Sequence, residues 1–104
     1  MASSLAKHRY FALVCVAAPL DSAAGVASFV RAKALAELGE CGFGRLGPVV
    51  RFYDGASRVA VVRVNRGATK AFAPLVKNAA RVAATSGSLR SCKPKVRRLL
   101  AERG

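Results

Sequence analysis

At 104 residues the chain holds enough material for one domain with a modest core, and residues 1–104 are read as a single unit. Hydrophobic residues make up 53% of it and the mean hydropathy is +0.27, which excludes a disordered basic tail. Against that apolar body stand 18 Lys and Arg and only 5 Asp and Glu, a formal charge of +13 and a pI near 11.2. A compact domain that repels itself this strongly calls for a polyanionic partner, nucleic acid before an anionic surface.

In chain order, Lys7-His8-Arg9 precedes an apolar run from Tyr10 to Leu20, an arrangement shared with a signal peptide. Abundant Ser, Ala and Arg with few acids also suit an organelle transit peptide. The stretch from Arg9 to Val16 reads better as a strand, apolar nearly throughout and so central in a sheet, ended by Pro19. Asp21 or Ser22 offers an N-cap to a helix that buries Val26, Phe29, Val30, Ala34 and Leu38. Arg31, Lys33 and Glu37 fall on its exposed side, and Gly39 stands just past its end. From Glu40 to Pro48 the glycines predict a loop. A strand from Val49 to Tyr53, the turn Asp54-Gly55 and a strand from Arg58 to Asn65 form a hairpin.

Thr69 can cap a second helix, whose Phe72, Leu75, Val76 and Ala79 recur at i, i+3, i+4 and i+7. Pro74 is tolerable only in or near its first turn, and Lys70, Lys77 and Arg81 sit off the apolar face. A short strand from Thr85 to Arg90, broken by Gly87, follows. A closing helix starts at Pro94 and turns Val96, Leu99 and Leu100 inward. The order β-α-β-β-α-β with an extra C-terminal helix predicts the α+β class and a ferredoxin-like sandwich. No stretch approaches the ~20 apolar residues that cross a bilayer, so no membrane partner is expected.

Catalytic chemistry is hard to assemble from these residues. Cys15, Cys41 and Cys92 are widely spaced without a CxxC pair, and His8 is the single histidine. A structural zinc site takes about four ligands, usually in close pairs, so neither a metal nor a disulfide framework is expected. The cysteines read as buried apolar side chains in a reducing compartment. Of the five acids, Asp21 suits a cap and Asp54 a turn, while Glu37, Glu40 and Glu102 form no converging pair. Gly42, Gly44 and Gly47 do not make a GxGxxG. An RNA recognition motif would stack bases on aromatics of its third strand, but Arg58-Val59-Ala60-Val61-Val62-Arg63-Val64 has none.

The bases gather instead at the two chain ends. In such a fold the first and last strands lie close, which makes Lys7, Arg9, Arg90, Lys93, Lys95, Arg97 and Arg98 one candidate RNA-binding patch. A patch of this kind suits phosphate and shape recognition of structured RNA. A ribosomal protein or ribosome-assembly factor would share this size, charge and fold.

Three segments, in order, resemble one family. Lys7-His8-Arg9-Tyr10 is similar to a K-x-R-Y opening; Glu40-Cys41-Gly42-Phe43-Gly44, Val49-Val50-Arg51-Phe52-Tyr53 and Val61-Val62-Arg63-Val64 resemble its middle; Ser86-Gly87-Ser88-Leu89-Arg90-Ser91-Cys92 resembles an S-G-x-I-R-x-C close. The family is the "Pop five" subunit of ribonuclease P and ribonuclease MRP, counterpart of archaeal ribonuclease P protein component 2. The resemblance implies a ferredoxin-like fold and no catalysis by the protein. It also implies divalent metal on the RNA rather than a cofactor on the protein, with ribonuclease P or MRP RNA, precursor tRNA and a TIM-barrel subunit as partners. Its setting would be the nucleus and nucleolus, and its task 5′ maturation of precursor tRNA or processing of ribosomal RNA precursors.

Overall fold

The computed structural model describes residues 8–18, 20–86, 94, 96–98 and 101. Four strands form one antiparallel sheet: β1 (His8–Cys15), β2 (Val49–Asp54), β3 (Val59–Asn65) and β4 (Ala80–Ser86), in the order β2-β3-β1-β4. Two helices, α1 (Ala23–Leu46) and α2 (Thr69–Val76), occupy the connections β1–β2 and β3–β4. The class is therefore α+β. As its unbroken apolar run implied, β1 is central, paired with β3 on one side and β4 on the other.

Strand alternation sorts the side chains between two faces. Phe11, Leu13 and Cys15 of β1 and Ala60, Val62 and Val64 of β3 point to the helices and join Val26, Val30, Ala34, Phe72, Leu75 and Val76 in the main core. Each such aliphatic or aromatic side chain removed from water contributes roughly 1.5–3 kcal/mol. Phe11 and Phe72 meet with ring centroids 4.7 Å apart at 43°, a tilted contact that ties α2 to the central strand. The opposite face carries a smaller cluster of Ala12, Val14, Val59, Val61 and Val96. Val96 belongs to the C-terminal stretch, where residues 94, 96–98 and 101 are helical, so this stretch covers part of the second face.

Several boundaries differ from the sequence reading. Ser22 rather than Asp21 caps α1, its hydroxyl accepting from the Gly25 N–H at 3.0 Å. Past Gly39 the chain resumes helix to Leu46 instead of forming a glycine-rich loop. Gly39 itself is non-helical at φ 76° and ψ −179°, so it breaks α1 into two arms. Residues twelve apart would stand about 18 Å apart in a straight helix. The Arg31 guanidinium nevertheless lies 5.3 Å from the Phe43 ring centre, so the second arm folds back on the first. That arm is apolar enough to dock, with Leu46 buried and Phe43 against the core.

Thr69 is the first residue of α2 rather than its cap. A 3-10 turn at Arg66–Ala68 leads into the helix, and no side chain caps it. Pro74 sits in the second turn, where its missing N–H leaves the Lys70 carbonyl without the usual i→i−4 partner. The last strand spans Ala80–Ser86, earlier than the expected Thr85 to Arg90. Alternation was hidden there by a bulge, since Ala12 pairs with Ala84 and Leu13 with Val82, leaving Ala83 extra. The expected continuation to Arg90 lies outside the described residues, as do Pro19, Gly87, Cys92, Leu99 and Leu100.

Candidate nucleic-acid interface

Arg9 precedes Phe11 and Leu13 on the same side of β1. Its register partner is Val64, so its side chain emerges on the helix face at the end of the sheet. There α2 begins, presenting Thr69 and Lys70, and β4 brings Thr85 opposite Phe11. Arg9, Phe11, Thr69, Lys70 and Thr85 line an open cleft of about 390 Å³. Arg9 is partly buried and Lys70 exposed. Among the described residues no carboxylate lines the cleft, and no acid stands in the first turn of α2.

The fold uses other cations differently. Lys33 Nζ lies 2.9 Å from Glu37 Oε2, the one ion pair among the described residues. Arg58, at the β2–β3 turn, donates from Nη2 to the Ala17 carbonyl at 2.6 Å and the Leu20 carbonyl at 3.4 Å. Both are occupied holding the protein together. Arg9 and Lys70 have no such partner among the described residues.

On the opposite sheet face, cross-strand partners form rows. One row runs Val49, Arg63, Tyr10, Ser86, and the next runs Phe52, Val61, Ala12, Ala84. A shift between Val50 and Phe52 turns both Val49 and Phe52 outward, 38% and 39% exposed. Aromatic residues on this face thus come from β1 and the edge strand β2, while β3 offers Val59, Val61 and Arg63.

Of the seven residues of the candidate patch, Arg9, Arg97 and Arg98 are among the described residues. Arg9 lies on the helix face. Arg97 and Arg98 are exposed and follow Val96, which packs on the other face. Lys7, Arg90, Lys93 and Lys95 lie outside the described residues. Sequence reading missed Lys70, Thr69 and Thr85 as neighbours of Arg9. Alternation held the clue, because Arg9 is in phase with the buried Phe11 and Leu13.

Among the described residues, Cys15, Asp54 and His8 stand apart from one another, and Cys41 is exposed. Cys15 is buried, and burial pushes its thiol above the ordinary value while the Arg58 charge pulls weakly the other way. A neutral buried thiol is a poor nucleophile. Asp54 accepts from the Ser57 N–H at 2.9 Å and from the Ser57 hydroxyl at 2.6 Å, which lowers its carboxyl and closes the turn. His8 sits opposite Asn65 at the start of β1. Among the described residues no three His, Cys, Asp or Glu side chains converge on a metal position, and no helix is long and apolar enough to cross a membrane. No protein-family model matches the chain, and comparison with curated proteins finds no significant match.

Proposed function

We propose that this protein is a non-catalytic, RNA-binding subunit of ribonuclease P, ribonuclease MRP or both. The observation that carries the reading is the charge of +13 on a folded α+β domain, with Arg9 and Lys70 lining one cleft without a carboxylate partner among the described residues. Strand order β2-β3-β1-β4 with helices in the two crossovers supports the finer assignment of a ferredoxin-like sandwich. The ordered resemblance to the "Pop five" family supplies the particle.

On this reading the protein braces RNA. Cations on a rigid sheet screen phosphate repulsion where RNA helices crowd together and divalent metal must bind the RNA. The chemistry belongs to the RNA, acting on precursor tRNA or ribosomal RNA precursors in the nucleus and nucleolus. A TIM-barrel subunit is the expected protein neighbour, and the exposed Val49 and Phe52 on the edge strand offer it apolar surface.

Sequencing the RNA that co-purifies with the native protein tests this directly. Ribonuclease P or MRP RNA is the expected species. Ribosomal RNA in intact subunits would instead make the chain a ribosomal protein or assembly factor. Metal-dependent cleavage of precursor tRNA by the RNA-free protein would overturn the non-catalytic role.

A further inference from the structure

We infer that the cleft between β1, β4 and the start of α2 seats a single backbone phosphate of the bound RNA, held jointly by Arg9 and Lys70. This rests on the RNA reading but goes beyond it, because it replaces a diffuse basic patch with one defined subsite.

The lining dictates the ligand's chemistry. Arg9 brings a guanidinium with five N–H donors, Lys70 an ammonium with three, and Thr69 adds a hydroxyl. Among the described lining residues donors outnumber acceptors, and none is negative. A phosphodiester supplies acceptor oxygens and one charge, and a guanidinium matches two of those oxygens at once. The cleft of about 390 Å³ falls at the small end of ligand sites, with room for a phosphate and the sugars flanking it. Its openness to one side suits a chain that passes over rather than a molecule swallowed whole.

The frame is also rigid, which favours a defined subsite over loose charge attraction. Arg9 stands on the central strand, paired with Val64 of β3 and one residue before Tyr10, where pairing to β4 begins. Phe11 beneath it is 6% exposed and locked against Phe72 of α2. The helix bearing Lys70 is thereby fixed relative to the strand bearing Arg9, so little ordering remains to be done on binding.

Two measurements on the full chain test the inference. The first is NMR titration of isotope-labelled protein with inorganic phosphate, with acetate as the comparison. Shifts centred on Arg9, Thr69, Lys70 and Thr85 under phosphate, and weaker under acetate, are expected. Equal response to acetate would assign the cleft to a carboxylate, and no local response would remove the subsite. The second is affinity for a structured RNA hairpin across a salt series, for wild type, Arg9→Gln, Lys70→Gln, the double variant and the control Lys77→Gln.

If both cations hold one phosphate, each single variant loses about tenfold in affinity. The double variant then lowers the log–log salt slope by about 1 rather than 2. Arg9→Lys should keep the slope and lose affinity, since it retains the charge without the fork. An unchanged slope in the double variant, with wild type still binding RNA, would overturn the subsite alone. If wild type binds no RNA, the RNA reading falls, and the phosphate titration decides the cleft by itself.

Discussion

At Arg58 the backbone adopts φ 59°, a left-handed conformation that costs a non-glycine residue about 1 kcal/mol. What offsets it is the reach of the guanidinium to the Ala17 and Leu20 carbonyls, with the Tyr53 hydroxyl donating to Leu20 at 2.9 Å. Together they fasten the β2–β3 turn to the segment leading into α1. Replacing Arg58 by Gly removes the strain but also both guanidinium hydrogen bonds, leaving Ala17 only the Leu20 N–H and Leu20 only the Tyr53 hydroxyl, and net destabilisation of about 1 kcal/mol is expected in urea unfolding. A more stable Arg58→Gly variant would mean that strain outweighs the bonds. Asp54 in the same turn has a carboxyl held below its ordinary value by the Ser57 hydroxyl and N–H. A folded-state value below the unfolded one means its contribution is fully present above the ordinary carboxylate range and is lost as pH falls through it. Urea midpoints followed from pH 6 to pH 3 should show this acid-side loss in wild type and not in Asp54→Asn. Parallel curves would dismiss the effect.

Among the elements, α1 is defined by how it bends. At Gly39 a Cβ would meet nothing within 4 Å, yet φ is +76°, so the position resists other residues by backbone strain alone. At Gly42 a Cβ would come 2.4 Å from Leu38 Cβ, so there the obstacle is steric. Gly39→Ala should therefore cost about 1–3 kcal/mol, while a D-alanine at 39 in synthetic protein should be tolerated. At Gly42 neither hand should be well accommodated, and calorimetric Tm values across the set would separate the two causes. Pro74 offers the reverse experiment. Pro74→Ala returns a hydrogen bond to the second turn of α2, and an increase in Tm is expected.

These two helices also mark where sequence was legible. The apolar spacing of α2 and the unbroken run of β1 announced their burial correctly, because each has one strong period. The second arm of α1 was hidden by Gly42 and Gly44, whose low helix propensity was outweighed by docking of Phe43 and Leu46. For the site, the sequence advertised charge but not direction. Arg9 was recognisable as basic; that it shares a cleft with Lys70 depends on β1–β3 register and on where α2 starts.

For the molecule as a whole, the +13 charge has to be reconciled with a sheet packed on one face by the helices and partly covered on the other. Self-repulsion of this size weakens the folded state at low ionic strength. The urea midpoint should accordingly rise as NaCl is raised toward about 0.15 M, where charges more than about 8 Å apart are largely screened. A midpoint that falls with salt would instead point to favourable ion pairing. Removing charge at Arg90, Lys93, Lys95, Arg97 and Arg98 together should weaken RNA binding and flatten its salt dependence, additively with the Arg9 and Lys70 variants. Loss of additivity would show that the C-terminal bases and the cleft grip the same phosphates.

The central position of β1 has a consequence for how the chain reaches its native state. Its partners on β3 pair His8 with Asn65 and Val14 with Val59, a separation of roughly fifty residues, and those on β4 lie further still. No local hairpin can supply the middle of the sheet. Only β2 and β3, joined by the Asp54–Ser57 turn, can zip early. Folding therefore waits on a long loop closure, and stopped-flow refolding should fall in the millisecond-to-second range typical of non-local topologies. Until β1 arrives, the valine-rich β3 and the alanine-rich β4 expose unpaired edges. A polyanion that damps repulsion between the distant segments would shorten that interval and speed assembly of the domain.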